Sequence, residues 1–344
     1  MVMPQVIPSP EPDAPAHPVR EGIILLLIVA FGLFLRIYRI DHLSLWSDEA
    51  FSVEVSRLSV HMMNGMLVRA FSHPPLSFYA LHAWFMVFGF GDVQARLLSA
   101  VFGGLAIVVI YLLARYLFGR QVAFLSALLL AVSQLGVMYS QEARPYAQLL
   151  FFVLCSLYLF VIALREHRAL AWWAFVLAAI LTVYTHYYGA FVVVFLFLYG
   201  ILYGRRYAFP ATWLLGGAVL IIVSYVPWLA TGVVQHALSS PETMRPQQPP
   251  WFAVTRRTLI DTMSMFNNSR MAGLLWPAPR WALLAGGVLF TVPGLFALRS
   301  LIVKPGATSA EHSHRDSVLL LGILWLYPLF VALLQRSRGN TGHS

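Results

Sequence analysis

An acidic pair near the start of the chain, Asp48 and Glu49, is the first place in the sequence where chemistry could occur. Ser47 precedes the pair and could cap a helix that starts at Asp48. The apolar residues that follow recur at helical spacing: Phe51, Val55, Leu58 and Met62. A helix dipole stabilises acids in the first turn, so a capped amphipathic helix would explain the pair without chemistry. The functional interpretation is a general base that takes a proton from an attacking hydroxyl or amine.

Three later points in the sequence carry further candidate side chains. His73 precedes two prolines, Glu142, Arg144 and Tyr146 stand together in QEARPY, and His186 lies in THYYG. An arginine such as Arg144 can bind a phosphate bidentately, although a surface contact with Glu142 would account for it as well. A lone histidine is more often a hydrogen-bonded residue than a ligand, so His186 carries the weaker functional interpretation.

Cofactor signatures are few. Asp48, Glu49 and Glu142 could hold a hard divalent cation, although no spacing demands one. The sequence has no Walker loop, GxGxxG, CxxC or HExxH motif. It also has no segment long and polar enough for a soluble nucleotide-sugar domain. A group-transfer enzyme of this kind would therefore need a donor that is itself a lipid.

The elements that position these residues are apolar helices. The sequence is 59% hydrophobic and 11% charged, whereas soluble domains carry about a quarter charged residues. Runs of the length that a bilayer requires recur along the chain. They cover 23–35, 97–113, 121–138, 147–164, 170–185, 189–204, 211–231, 281–303 and 317–334. The fold class is thus an all-α polytopic membrane protein.

Basic residues predict the orientation. Placing the basic junctions that follow residues 113, 164 and 204, and the basic end of the run 281–303, in the cytoplasm satisfies the positive-inside rule. The segments 41–96 and 232–280 then become outer loops. Within the first loop, 74–90 is expected to be an interfacial helix, because as a span it would place the next basic junction outside. The formal charge of +9 is explained in this way and implies no nucleic acid.

Three regions follow from these patterns. Residues 1–21 are rich in proline and predict a disordered tail. Residues 22–335 form the transmembrane domain, and residues 336–344 form a C-terminal tail.

The order of motifs resembles a known family. The segments are LWSDEAFSVEVSR, HPPLSFYALHAWFMVFG, ARLLSAVFG, YSQEARPYAQLL and THYYG. Together they are similar to bacterial members of the dolichyl-phosphate-mannose–protein mannosyltransferase family, glycosyltransferase family 39, to which the aminoarabinose transferases of lipid A are related. The resemblance covers about residues 22–335 and implies the multi-span GT-C fold with interfacial helices in a long first outer loop. Relative to the family the chain is expected to be short at its C-terminus.

The resemblance also implies an activity. Members transfer a sugar from a polyprenyl- or dolichyl-phosphate donor, with inversion, to a protein, lipid or glycan acceptor at the outer face of the plasma membrane. By this comparison Asp48 is the base, with Glu49 beside it, and Arg36, Arg96 and Arg144 bind the donor phosphate.

Two other functions remain open at this point. A transporter or flippase would need ionisable residues at mid-membrane depth and broken helices in matching halves. A truncated, non-catalytic relative would keep the fold without the activity. Transfer of a sugar is favoured because the charged candidates cluster at predicted outer helix ends.

Overall fold

The computed structural model describes residues 18–70 and 73–232. Within these two ranges the secondary structure is helical, with no strand. The chain divides into two compact units, Met1–Leu238 and Ser239–Ser344, and every described residue belongs to the first. The predicted spans 281–303 and 317–334, the outer loop after Gly232 and the C-terminal tail lie outside the described residues.

The helices follow the apolar runs of the sequence. In chain order they are α1 (Pro18–Ile37), α2 (Ser47–Arg57), α3 (Val60–Ala70), α4 (Leu76–Phe88), α5 (Asp92–Phe118), α6 (Arg120–Val132), α7 (Gln134–Ser140), α8 (Tyr146–Glu166), α9 (Ala169–Thr185), α10 (Tyr187–Tyr203) and α11 (Ala211–Leu229), with a 3₁₀ turn at Gly204–Tyr207 after α10.

The polytopic fold class is confirmed. Over the described ranges, five helices are long and apolar enough to cross a membrane: α1, α5, α8, α10 with its 3₁₀ turn, and α11. The pair α6 and α7 adds a sixth if it is one broken span, since the two helices meet at a 56° bend. With 17 residues, α9 is shorter, at the lower end of the range that spans a bilayer.

The first helix begins earlier than expected. Residues 18–21, which were assigned to a disordered tail, form the first turn of α1. Pro18 does not prevent this, because the first residue of a helix has no intrahelical partner for its N–H group. The rest of the predicted tail, 1–17, lies outside the described residues.

The first loop contains three short helices, α2, α3 and α4. At about 1.5 Å per residue, the 13 residues of α4 reach about 20 Å, well short of a hydrocarbon core of about 30 Å. It packs against α2 and α5. A short loop helix in place of a span is therefore as predicted, whereas its depth relative to a bilayer stays a prediction.

The break between α6 and α7 is bound to α1 by Arg36. The guanidinium donates to the carbonyl oxygens of Leu130 and Ala131, each at 3.0 Å, and to Ser140 Oγ at 3.2 Å. Gly103 of α5 makes room for this arrangement, because a Cβ there would collide with the Ser140 hydroxyl and lie 2.8 Å from Arg36 Nε. The carbonyls that the break frees are thus satisfied from a neighbouring helix.

Two of the predicted basic junctions, after α5 and after α8, lie at the same end of the described helices. Arg115, at the end of α5, forms an ion pair with Glu21 in the first turn of α1 at 3.0 Å. Arg165, at the end of α8, lies 5.8 Å from the ring of Tyr116. The first loop precedes α5 and the α7–α8 link precedes α8, so both lie at the ends of these helices opposite to the basic residues. The predicted separation of basic and candidate-site ends is therefore present, and which end faces the cytoplasm stays a prediction.

Candidate active site

Arg144 lies at the centre of the candidate site, in the short link between α7 and α8. Its side chain is 5% exposed, and Nη2 lies 3.4 Å from Asp48 Oδ2. Nη1 donates to the Asp48 carbonyl at 3.1 Å and to Ser52 Oγ at 3.2 Å. The rings of Trp46 and Tyr146 lie 5.8 and 5.7 Å from the guanidinium carbon. A buried cation thus faces the head of α2, held by hydrogen bonds and two aromatic rings.

Asp48 is the accessible member of the acidic pair. Its side chain is 48% exposed and contacts the outer edge of Arg144. Ser52, one turn later, donates to the Asp48 carbonyl at 2.8 Å. The helix begins one residue earlier than expected, so Ser47 is its first residue and not its cap. The carboxylate is positioned by the helix and open to an approaching molecule.

Glu49 has the opposite surroundings. Its side chain is 1% exposed and forms an ion pair with Arg96, which is 4% exposed. Arg96 Nε and Nη2 donate to the two carboxylate oxygens at 2.9 and 2.8 Å, and the Ala143 amide donates to Glu49 Oε1 at 2.8 Å. Both oxygens are therefore engaged in a desolvated pair. The expected catalytic partner of Asp48 instead joins α2, α5 and the α7–α8 link.

Arg96 and Arg36, both expected to bind a donor phosphate, are engaged elsewhere. Beyond Glu49, Arg96 donates to the carbonyls of Ile40 and Leu43 at 2.8 and 2.7 Å. Arg36 is 1% exposed, and its donors go to the α6–α7 break described above. Reaching a phosphate would cost either arginine several buried hydrogen bonds. Of the three arginines, the structure brings Arg144 to Asp48.

Two histidines and a tyrosine adjoin Arg144. The rings of His73 and His186 lie 4.6 Å apart, and the ring of Tyr146 lies 6.0 Å from His186. His186 is 7% exposed, and its Nδ1 accepts the Tyr188 amide at 3.1 Å. Three sequence candidates that span more than a hundred positions of the chain are thus brought together.

Both imidazoles are held in the neutral form. Burial, with the charges of His73 and Arg144 nearby, lowers the pKa of His186 to about 3. Burial, with the charge of Arg144, lowers the pKa of His73 to about 4. Each ring can therefore donate or accept a hydrogen bond at neutral pH without adding a positive charge beside Arg144.

Glu142 lies in the same α7–α8 link as Arg144. It is half-buried, and its carbonyl accepts the Arg144 amide at 2.8 Å. The interpretation of its carboxylate as a site group stays a prediction.

A divalent cation held by Asp48, Glu49 and Glu142 stays a prediction. In the two described ranges, no group of three or more histidine, cysteine, aspartate or glutamate side chains could hold a metal ion. Glu49 is bound to Arg96 and the Ala143 amide, so it has no oxygen to offer Asp48 and Glu142 as a shared ligand. A site in this trio would require the buried ion pair to break.

Sequence reasoning missed two polar residues that surround Arg144. Ser52 binds it directly, and Ser56 follows one turn later on the same helix. Their spacing of four and eight residues after Asp48 places all three on one helical face, which was the available signal.

The described helices form a multi-span membrane bundle with a polar cluster at one end, and solved structures share this GT-C-like fold. The chain resembles the crystal structure of ArnT from Cupriavidus metallidurans in the apo state, with 22% identity and a TM-score of 0.54 over 93% of this chain and 62% of that one. ArnT from the same organism bound to undecaprenyl phosphate gives 20% identity and a TM-score of 0.50, over 92% and 60%. These structures support the fold.

The family comparison agrees with the sequence motifs. Residues 72–230 match the family model described as dolichyl-phosphate-mannose-protein mannosyltransferase, which confirms the resemblance. An uncharacterized protein from Aquifex aeolicus (strain VF5) is 26% identical over 186 residues, which are 50% of this chain and 37% of that protein. The chain spans less than two thirds of the length of each of these relatives.

Proposed function

We propose that this protein transfers a sugar from a polyprenyl-phosphate donor to an acceptor on the extracytoplasmic face of the plasma membrane. The observation that carries the proposal is the half-exposed Asp48 carboxylate, 3.4 Å from the buried guanidinium of Arg144. The pair supplies a proton acceptor and an anion-binding group at one point. Arg144 lies within residues 72–230, which match the mannosyltransferase family model, and Asp48 precedes that range.

Asp48 acts as the general base in this proposal. The acceptor hydroxyl loses its proton to the Asp48 carboxylate as its oxygen attacks the anomeric carbon. The bond from that carbon to the phosphate oxygen breaks on the opposite face, so the configuration inverts. The polyprenyl phosphate leaves as an anion and needs no proton. One base is therefore sufficient, in agreement with Glu49 being bound elsewhere.

Arg144 binds the phosphate of the donor. Its Nη2 is the donor group at the open side of the cluster, where it meets the exposed Asp48 carboxylate. A phosphate that approaches there gains a charge-assisted hydrogen bond from a guanidinium that is already positioned. ArnT, whose fold is similar, has been crystallised with undecaprenyl phosphate, which supports testing the same class of lipid here.

His73, His186 and Tyr146 border the space where the sugar would lie. Neutral imidazoles and a phenol can hydrogen-bond sugar hydroxyls and stack against a pyranose face. The acceptor class, whether protein, lipid or glycan, is the second substrate to be identified. Membrane lipids surround the bundle as its solvent.

The test is transfer by the full chain in proteoliposomes with a panel of polyprenyl-phosphate hexoses and pentoses. We expect Asp48→Asn to lower the rate about 100- to 10,000-fold, the usual contribution of a general base. Glu54→Gln is the matched control, because Glu54 is an acid of the same helix that is 68% exposed and pairs with Arg57 on the surface.

Two outcomes would count against this function. Asp48→Asn retaining more than about a tenth of the rate would exclude the general-base role. Movement of the donor lipid between leaflets without transfer would favour a flippase, and neither activity with any donor would favour a non-catalytic relative.

A further inference from the structure

A small polar chamber lies directly behind Arg144. It is partly open, is lined by α2, α4, α5, the α7–α8 link and the start of α8, and has a volume of about 20 Å³. Polar residues line it beside Arg144: Ser52, Ser56, Ser99 and Gln148. Apolar side chains such as Phe78 and Leu98 close the other walls. The chamber is thus a polar space set into an apolar surrounding.

Two buried polar atoms at this chamber have no hydrogen-bond partner within the described residues: Arg144 Nε and Ser56 Oγ. Ser56 is 0% exposed. The other donor atoms of Arg144 are used, Nη1 by the Asp48 carbonyl and Ser52, and Nη2 by the Asp48 carboxylate. Leaving a buried donor of a charged group unsatisfied is costly, so both atoms indicate a missing partner.

The size and chemistry of the chamber limit what can fill it. A space of this volume holds about one water molecule, and a water needs two to four polar partners. A phosphate or a sugar ring is far too large. Arg144 Nε offers a donor and the Ser56 hydroxyl offers a donor and an acceptor to a water in this space, and Gln148, 4% exposed, also lies in the wall.

We propose that this chamber is a water-binding site that positions Arg144, with Ser56 as the positioning residue. The guanidinium is then held along two edges, by the water at Nε and by Ser52 and the Asp48 carbonyl at Nη1. Nη2 is left directed at the open side of the cluster. The functional part of this inference rests on the proposed role of Arg144 in binding the donor phosphate.

The first test does not depend on activity. An experimental structure of the full chain, at a resolution that shows ordered waters, should contain solvent density within hydrogen-bond distance of both Arg144 Nε and Ser56 Oγ. A direct hydrogen bond between Arg144 Nε and a protein atom, with no density in the chamber, would overturn the inference. If density is present and no donor is used, the water site stands and the proposed function fails.

The second test compares three serine variants. Ser56→Val fills the chamber and displaces the water, whereas Ser56→Ala removes one partner and leaves the space. We expect Ser56→Val to raise the donor KM about 5- to 100-fold, as for one unsatisfied buried donor, and Ser56→Ala to raise it less. Ser156→Ala is the control, because Ser156 is 0% exposed and bonds Thr182 away from Arg144.

A raised donor KM in Ser56 variants of unchanged stability identifies a positioning role for Ser56. A packing role for Ser56 would lower the unfolding temperature of both Ser56 variants and leave the donor KM of the folded fraction unchanged, which would contradict the inference. If Ser56→Val does not fold, Ser56→Ala decides the matter. Its crystal should keep the density on Arg144 Nε, and loss of that density with an unchanged donor KM would refute the positioning role.

Discussion

The two adjacent acids in the first turn of α2 have different surroundings. Asp48 is half-exposed beside Arg144, whereas Glu49 is enclosed with Arg96. The sequence predicted a helix with acids in its first turn, and it predicted that one acid would act as a base. It could not separate their roles, because the side that is buried depends on Arg96, 47 positions later in the chain.

The buried pair gives the first prediction. Glu49→Gln should lower the free energy of unfolding by about 3–5 kcal/mol, because it leaves the charge of Arg96 buried without its partner. Thermal unfolding in detergent measures this, with Asp48→Asn as the control that should unfold close to wild type. Adding Arg96→Met should restore part of the loss. A Glu49→Gln variant as stable as wild type would show that the pair is not desolvated.

The phosphate role of Arg144 is tested by a conservative change. Arg144→Lys keeps the charge but loses the planar fork that holds Asp48 and Ser52 together. We expect the donor KM to rise about 10- to 150-fold, as for a lost hydrogen bond to a charged group. Arg57→Lys, on the exposed face of α2, should have no effect. An unchanged donor KM in folded Arg144→Lys would exclude the role.

The buried imidazoles predict an acid-sensitive fold. Burial lowers the pKa of His186 from 6.5 to about 3, so the folded state binds fewer protons than the unfolded state between these values. The contribution of each histidine to stability should be constant above pH 7 and fall as the pH drops below 6.5, by about 1.4 kcal/mol per pH unit. Unfolding temperatures from pH 7 to 4 measure this. His186→Asn should flatten the fall, exposed His42→Asn should not, and an unchanged slope in His186→Asn would contradict the assignment.

At the scale of elements, the apolar runs located the helices well. Six of the seven predicted runs before residue 232 each coincide with one helix, because bilayer length and apolar composition determine these elements locally. The run 121–138 was expected to be one span, yet α6 and α7 meet at a 56° bend. No proline marks the break. Ser133 marks the break locally, because its hydroxyl accepts the Gly136 amide at 3.2 Å and caps α7. The freed carbonyls depend on Arg36 of α1, a distant side chain that leaves no local signal.

The role of Arg36 at this break gives a prediction. Arg36→Met should destabilise the protein by about 1–3 kcal/mol, because the carbonyls of Leu130 and Ala131 lose their donor. Unfolding temperature in detergent measures the change. Arg39→Met is the control, because Arg39 is exposed and the change removes one positive charge without removing hydrogen bonds to the carbonyls at the break. A raised donor KM at wild-type stability would instead restore Arg36 as a phosphate ligand.

At the scale of the whole described unit, basic residues lie at one end of the helices and the candidate site lies at the other end. Long-range contacts such as Glu21–Arg115 and Asp48–Arg144 show this separation. The sequence predicted the grouping because charge is excluded from the apolar interior and basic residues favour one face. The sequence could not predict which candidate residues are in contact, because those contacts depend on how the helices pack.

Orientation can be measured by cysteine labelling in a Cys155→Ala background. Leu43→Cys, 67% exposed in the first loop, should react with a membrane-impermeant maleimide added to intact cells. Arg168→Cys, exposed between α8 and α9, should react only after the cells are opened. The reverse pattern would place the candidate site in the cytoplasm.

Arg36 also sets an order of events during synthesis. Its partner Ala131 lies 95 positions later in the chain, so at ribosomal rates of about 5–20 residues per second the two are made about 5–20 s apart. Throughout that interval the guanidinium at the end of α1 has no carbonyls from the broken helix to bind. Water, lipid headgroups or the insertion machinery must solvate it. Helix α1 is therefore among those that wait for a later helix before reaching their final place.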